Sequence, residues 1–220
     1  MRLGVVFFGA SLLFGGCALT EDTVRLAYRP RVAAQPLNKA ENVSVAVVMR
    51  DERRAIERDR VSCKRNGYGM EMPAIRSEND VPDLVRTSIY TELTRRGFRP
   101  GSGGVTVVVE VRRLYNDFKT GFFAGDAVAE ADLEVSVLAP GATEAGPALF
   151  RGRANGAGQN PNVQLTSGEN AKVALENALS EAVWRLFNNP RFISALLAGA
   201  PPPPSPPPPP PDSERPATQS

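Results

Sequence analysis

The sequence predicts an α+β fold: a two-layer sandwich in which a mostly antiparallel sheet carries two helices on one face. Three observations lead there. Valine- and alanine-rich stretches alternate with polar residues at the period of two that marks half-buried strands, most clearly over Ala127–Val137. Two segments, 80–96 and 168–188, instead repeat their apolar residues at the helical spacing. The order is strand, helix, three strands, helix, which suits a sheet covered on one side.

The first strand signal is Val24–Tyr28, within a mixed segment (17–41) expected to act as a tether. The next is 42–49, with Val43, Val45, Val47 and Met49 on one side. The charged run DERRAIERDR, Asp51–Arg60, reads as a solvated strand end or turn, and Val61–Asn79, punctuated by Gly67, Gly69 and Pro73, reads as a loop. Asp80 is placed to cap the first helix, with Pro82 in its first turn and Gly97 after its end. Val81, Val85, Ile89 and Leu93 form its apolar stripe. A Gly101–Gly104 turn leads to the strand Val105–Val111. The 127–137 strand follows, then turn residues 140–147, a strand over Ala148–Ala154 and a loop rich in Asn and Gly. In the second helix Ala171, Leu175, Ala178, Leu179, Ala182 and Leu186 share a face. Pro190 ends it, and 192–197 can add a helical turn. Pro201 begins the run PPPPSPPPPPP, which favours polyproline II or disorder, so the folded domain is expected to span 42–200 and the tail 201–220.

The N-terminus specifies a location. Met1-Arg2 precedes an apolar run from Leu3 to Phe14, followed by Gly15-Gly16-Cys17. The run is shorter than the ~20 residues needed to span a bilayer. It resembles a lipoprotein signal, residues 1–16, in which small residues admit the backbone to the peptidase and the Cys17 thiol takes the lipid. Several acyl chains on one residue hold durably where a single chain does not. Ala18 stands where the sorting rule of diderm bacteria would put Asp for inner-membrane retention. The expected place is therefore the periplasmic face of the outer membrane, with the inner membrane as the alternative.

Composition narrows the chemistry. Lys and Arg number 26 against 24 Asp and Glu, which gives no electrostatic footprint for nucleic acid. The chain has no histidine, so histidine-based triads and histidine-ligated metals are excluded. No catalytic constellation, cofactor motif or metal set is recognisable. With Cys17 lipidated, Cys63 has no disulfide partner. Lys64 and Arg65 beside it could lower its pKa, but a spectator thiol is the plainer expectation. Gly152, Gly156 and Gly158 lack the spacing of a phosphate loop. Trp184 falls off the main apolar face of its helix, to be covered by Phe192, Leu196 or Leu197 or left as a contact residue.

The remaining candidates for contact lie in two loops. Phe118–Gly125 joins two strands yet holds Phe122 and Phe123, and Asn66–Met72 carries Tyr68, Met70 and Met72. The two loops either pack on each other or form a contact surface for an envelope protein or lipid, with Phe122, Phe123, Tyr68 and Met70 as contacts.

Several stretches together resemble the YajG-like family of uncharacterised bacterial lipoproteins: Cys17 in place, a valine strand ending near Asp51 and Arg53, Arg96-Gly97-Phe98, RLYNDFKTG over Arg113–Gly121, AEADLEVSV over Ala129–Val137, and Pro190-Arg191-Phe192 after the last long helix. The polyproline tail and the 66–72 loop depart from that pattern. The resemblance implies a periplasmic lipoprotein without an established activity. The sequence thus points to a non-enzymatic, membrane-tethered interaction module; the alternative is an accessory lipoprotein of an envelope lipid or solute transport system.

Overall fold

A computed structural model describes residues 20–54, 57–119, 121 and 124–199. Cys17, Phe122, Phe123 and the polyproline tail lie outside these residues. The fold is α+β, an open, mostly antiparallel sheet with three helices.

Three long strands form its spine: β6 (Val105–Lys119), β7 (Gly125–Leu138) and β8 (Ala148–Val163), paired antiparallel in sequence order. The alternation read in the sequence shows directly in burial. Ala127, Ala129, Ala131, Leu133, Val135 and Val137 are buried, while Glu130, Asp132, Glu134 and Ser136 between them are at least partly exposed. On β6, Val105, Val107, Val109 and Val111 are buried. A bulge between Val111 and Arg113 then resets the phase, so that Leu114, Asn116 and Phe118 are buried beyond it.

The other edge of β6 is shared. Its first half pairs in parallel with β2 (Ser44–Asp51), from Val45–Val105 to Asp51–Val111. Its second half meets β3 (Arg60–Arg65) at Ser62–Asn116. Residues 112–115 lie between the two pairings, and the sheet forks there. Outside β2 lies the two-residue β5 (Arg99–Pro100); outside β3 lie β4 (Glu71–Ser77) and then β1 (Asp22–Val24).

Helix α1 (Val81–Arg95) is capped by Asp80, whose side chain accepts from Asp83 N–H at 2.9 Å, and Gly97 follows at φ 90°. Its stripe Val81, Val85, Ile89 and Leu93 is fully buried. Helix α2 (Gly168–Phe187) packs on β8 and β7. An added Cβ at Gly156 would lie 2.0 Å from the Ala178 carbonyl oxygen, and one at Gly158 1.9 Å from that of Ala174. The glycines thus let the helix backbone settle onto the strand. Helix α3 (Pro190–Leu197) returns Phe192 to the core, where its ring meets Phe187 and Phe150 edge to face at 5.3 and 5.6 Å.

Four expectations need correction. The segment read as charge run and loop contains β3 and β4; their short, irregular register and interior polar residues, Ser62 and Lys64, hide the period of two. The Asn/Gly-rich stretch after Ala154 is strand, continuing β8 to Val163, because its glycines serve packing against α2 and not a turn. The N-terminal strand sits at Asp22–Val24, not Val24–Tyr28, and residues 25–41 run along the domain. There Leu26 is buried, Tyr28 Oη donates to Glu92 Oε1 at 2.9 Å, and the Leu37 amide donates to Arg96 O. A third helix forms, eight residues long where a turn was expected, because Pro190 starts it and Asn189 caps it.

Candidate functional site

One end of the molecule gathers three chain segments. Asn66 lies between β3 and β4 and orders its loop, its side-chain oxygen accepting from the Tyr68 and Met70 amides at 3.0 Å each. The β8–α2 connection is pinned beside it: Thr166 Oγ1 accepts from Arg65 N–H at 3.2 Å and donates to Arg65 O at 2.9 Å. The N-terminal segment joins them. Lys64 Nζ donates to Thr20 O at 2.8 Å and pairs with Asp22 at 2.7 Å, and Asp22 Oδ2 accepts from Gly168 N–H at the start of α2, also at 2.7 Å. Burial pulls the Asp22 carboxyl upward, but the ammonium and the amide outweigh it, and its pKa lies below the ordinary value. A cleft of about 310 Å³ lined by Lys64, Arg65, Met72, Leu165 and Thr166 opens between these segments.

Large apolar side chains stand in solvent on the two connections, 66–70 and 164–167, that contribute to this cleft. Tyr68 is 91% exposed, Met70 57% and Leu165 75%. Tyr68 and Met70 are the described members of the sequence-derived contact set. Leu165 was missed, because one leucine in a polar connection gives no periodic signal.

A second feature lies at the sheet fork. Arg53, just past β2, is 6% exposed and reaches back to Asp51 in a two-pronged pair, Nε to Oδ1 and Nη2 to Oδ2, both at 2.9 Å. Burial raises the Asp51 pKa and the Arg53 guanidinium lowers it; the net shift is downward. Arg53 Nη2 also donates to Arg58 O. Among the described residues, Arg53 Nη1 is buried with no hydrogen-bond partner. Arg53 lines a cleft of about 320 Å³ together with Arg54, Arg60, Arg112, Arg113, Leu114, Tyr115 and Asp117. Arg113 lies over the Tyr115 ring at 5.7 Å. The charge run that reads as solvent-facing in sequence thus supplies the wall of a cleft. The available signal was its arginine excess together with the Arg112-Arg113 pair at the bulge.

Cys63 is buried and free, with Tyr115 and Arg60 beside it. Burial first, then the neighbouring thiol, pushes the Tyr115 phenol up to about 12. Lys64, adjacent to Cys63 in sequence, is engaged with Asp22 and Thr20. Trp184 is half-buried, with the Arg31 guanidinium 5.7 Å from its ring centroid, and Phe192 turns instead to Phe187 and Phe150.

Residues 30–196 match a family described as uncharacterized lipoprotein. The chain belongs to this family. The YajG-like resemblance read in the sequence agrees with that assignment. A comparison with curated proteins finds no match. Among solved structures, a Xanthomonas campestris protein aligns at a TM-score of 0.50 with 14% identity, over 80% of the lipoprotein and 96% of its own chain. A candidate lipoprotein from Caulobacter crescentus aligns at 0.41 with 14% identity over 74% and 96%. A minor lipoprotein from Acinetobacter baumannii aligns at 0.36 with 7% identity over 66% and 90%. The first of these likenesses supports the fold of the lipoprotein, and the fold alone. No helix among the described residues of the lipoprotein is long and apolar enough to cross a membrane.

Proposed function

We propose that the lipoprotein is a non-enzymatic interaction module, anchored through Cys17 to the periplasmic face of the outer membrane and seated with its Tyr68–Met70–Leu165 rim against the lipid. The observation that carries this reading is the bond from Lys64 to Thr20 O, which holds the chain at that rim only three residues after Cys17. Three residues reach about 10 Å at full extension. An acylated Cys17 therefore brings this end, and no other, to the bilayer surface. A tyrosine and two flexible apolar side chains suit the boundary between headgroups and acyl chains, where an amphipathic ring keeps its hydroxyl wet.

The helices, in this proposal, cover one face of the sheet as a two-layer sandwich. The Gly156 and Gly158 contacts close the seam between β8 and α2, whereas apolar surface stands open at the rim. That distribution favours a surface-contact module over a carrier with an apolar cleft between sheet and helices. Ala18 after Cys17 favours the outer membrane.

Met70 supplies the test. Thioether oxidation follows exposure. The lipidated protein in vesicles and the unlipidated mature chain, made without residues 1–16 and with Cys17→Ser, in solution are treated with peroxide, and sulfoxide at Met70 is followed by peptide mass. The expected result is oxidation of Met70 slowed several-fold by the membrane, with Met49 unchanged. Equal Met70 rates in both forms contradict the seating.

A further inference from the structure

We propose that the cleft at the sheet fork binds an oxyanion, a carboxylate or phosphate group carried on a small apolar or aromatic body, with the buried Arg53 at its floor. The argument starts from donors. A guanidinium presents five N–H groups in one plane and accepts nothing. Arg53 commits Nε and Nη2 to Asp51 and Arg58 O, so its position and plane are fixed before any ligand arrives. Its Nη1 donors are left over, buried and unpaired among the described residues, on a side chain that lines an open cleft. Buried polar groups are almost always satisfied, and leaving a charged donor unpaired is costly. An oxyanion entering from the cleft would satisfy them as the exposed side chains that cover Nη1 move aside.

The surroundings fit that class of ligand. Arg54, exposed at the mouth, has no hydrogen bond or ion pair among the described residues. Arg60 and Arg113 are held by Glu71 at 3.1 Å and Glu130 at 3.0 Å, which keeps them in place and leaves further donors on each fork. Asp117, the one carboxylate among the described lining residues, is paired with Arg113 at 3.2 Å and with Arg65 at 3.6 Å. Leu114, the Tyr115 ring and the arginine stems supply apolar walls for the body of the ligand. Planar guanidinium groups match carboxylate and phosphate alike, so the shared chemistry is an oxyanion.

The fork can exist only because β6 changes partners. At the β2 pairing the edge of β6 is occupied through Val111, and at the β3 pairing it is occupied again at Asn116. The bulge at Val111/Arg113 places two arginines in the interval. Anion binding at the fork does not depend on the seating proposed above.

Calorimetric titration of the unlipidated Cys17→Ser protein tests the site with phenyl phosphate and phenylacetate as probes, and with phosphatidylglycerol vesicles as a separate arm. The expected result is saturable binding of a soluble probe. Arg54→Gln weakens it about tenfold, the loss of one charge-assisted hydrogen bond. Arg151→Gln, the same change of charge on an exposed position of β8 that does not line this cleft, leaves it within about twofold. Arg53→Lys keeps the charge but loses the fork and weakens binding, with circular dichroism confirming the fold. Binding confined to vesicles and reduced by Arg54→Gln assigns the oxyanion to a lipid headgroup. No binding in either arm, or equal loss in Arg54→Gln and Arg151→Gln, overturns the proposal. Failure of the Met70 oxidation test leaves these outcomes unaffected.

Discussion

At the scale of single residues, buried charge is the recurrent device. Arg53 and Asp51 close the end of β2, Arg96 pairs with Glu92 beneath the Phe187 ring, and Lys64 with Asp22 ties β1 to β3 while Asp22 also holds the first amide of α2. Removing one partner of such a pair strands the other, which costs more than the pair itself contributes. The Asp22 pair makes the acid limb of stability predictable. Its folded pKa lies below the ordinary 3.8, so the folded state favours the ionised carboxylate. That contribution is present above the unfolded value and is lost as pH falls through the lower folded value. Asp22→Asn should therefore be less stable than the parent at neutral pH, by about 1 kcal/mol, because Asp22 itself is partly exposed and water screens its side of the pair. The difference should shrink below about pH 4. Urea midpoints across pH 2.5–7 measure it, and a constant offset over that range would remove Asp22 from the account.

At the scale of elements, the seam between β8 and α2 sets the architecture. Gly156 and Gly158 face Ala174, Ala178 and Ala182, so strand and helix meet with almost no side chain between them. Gly156→Ala places a methyl against helix backbone, which cannot yield as a flexible side chain would. The expected loss is about 1–3 kcal/mol, at the level of overpacked cores. Gly67→Ala, at a loop position with nothing within 4 Å, should leave the thermal midpoint nearly unchanged. Equal effects of the two would argue that backbone freedom, and not close approach, explains the glycines. The same seam shows why part of the fold was legible and part was not. α1 and α2 announced themselves, since a capping Asp80, a four-residue apolar stripe and an alanine-rich face are local signals. β7 did so as well, through strict alternation. The glycines of β8 look like a loop unless the helix against them is known. β3 takes its stability from distant partners, as in the reciprocal bonds between Ser62 and Asn116, and no window of sequence contains both. The two sites divide in the same way. Tyr68 and Met70 stood out because apolar residues in a loop are locally anomalous, whereas the arginine cleft needs the fork, a property of three strands together.

At the scale of the whole molecule, polarity along β6 organises the account. Its C-terminal end lies beside the segments that hold Thr20, its middle carries the fork, and its start lies with β2. The anchor proposed at Cys17 would turn that internal order into an orientation relative to the membrane, with the apolar rim toward lipid and the solvent-facing side of β8 away from it. Photo-crosslinking in intact cells tests this orientation most directly, with benzoylphenylalanine placed at position 68 or at position 151 of the lipidated protein. The account predicts lipid adducts from position 68 and none from position 151, where any adduct is to protein. Lipid adducts from position 151, or only protein adducts from position 68, would contradict it.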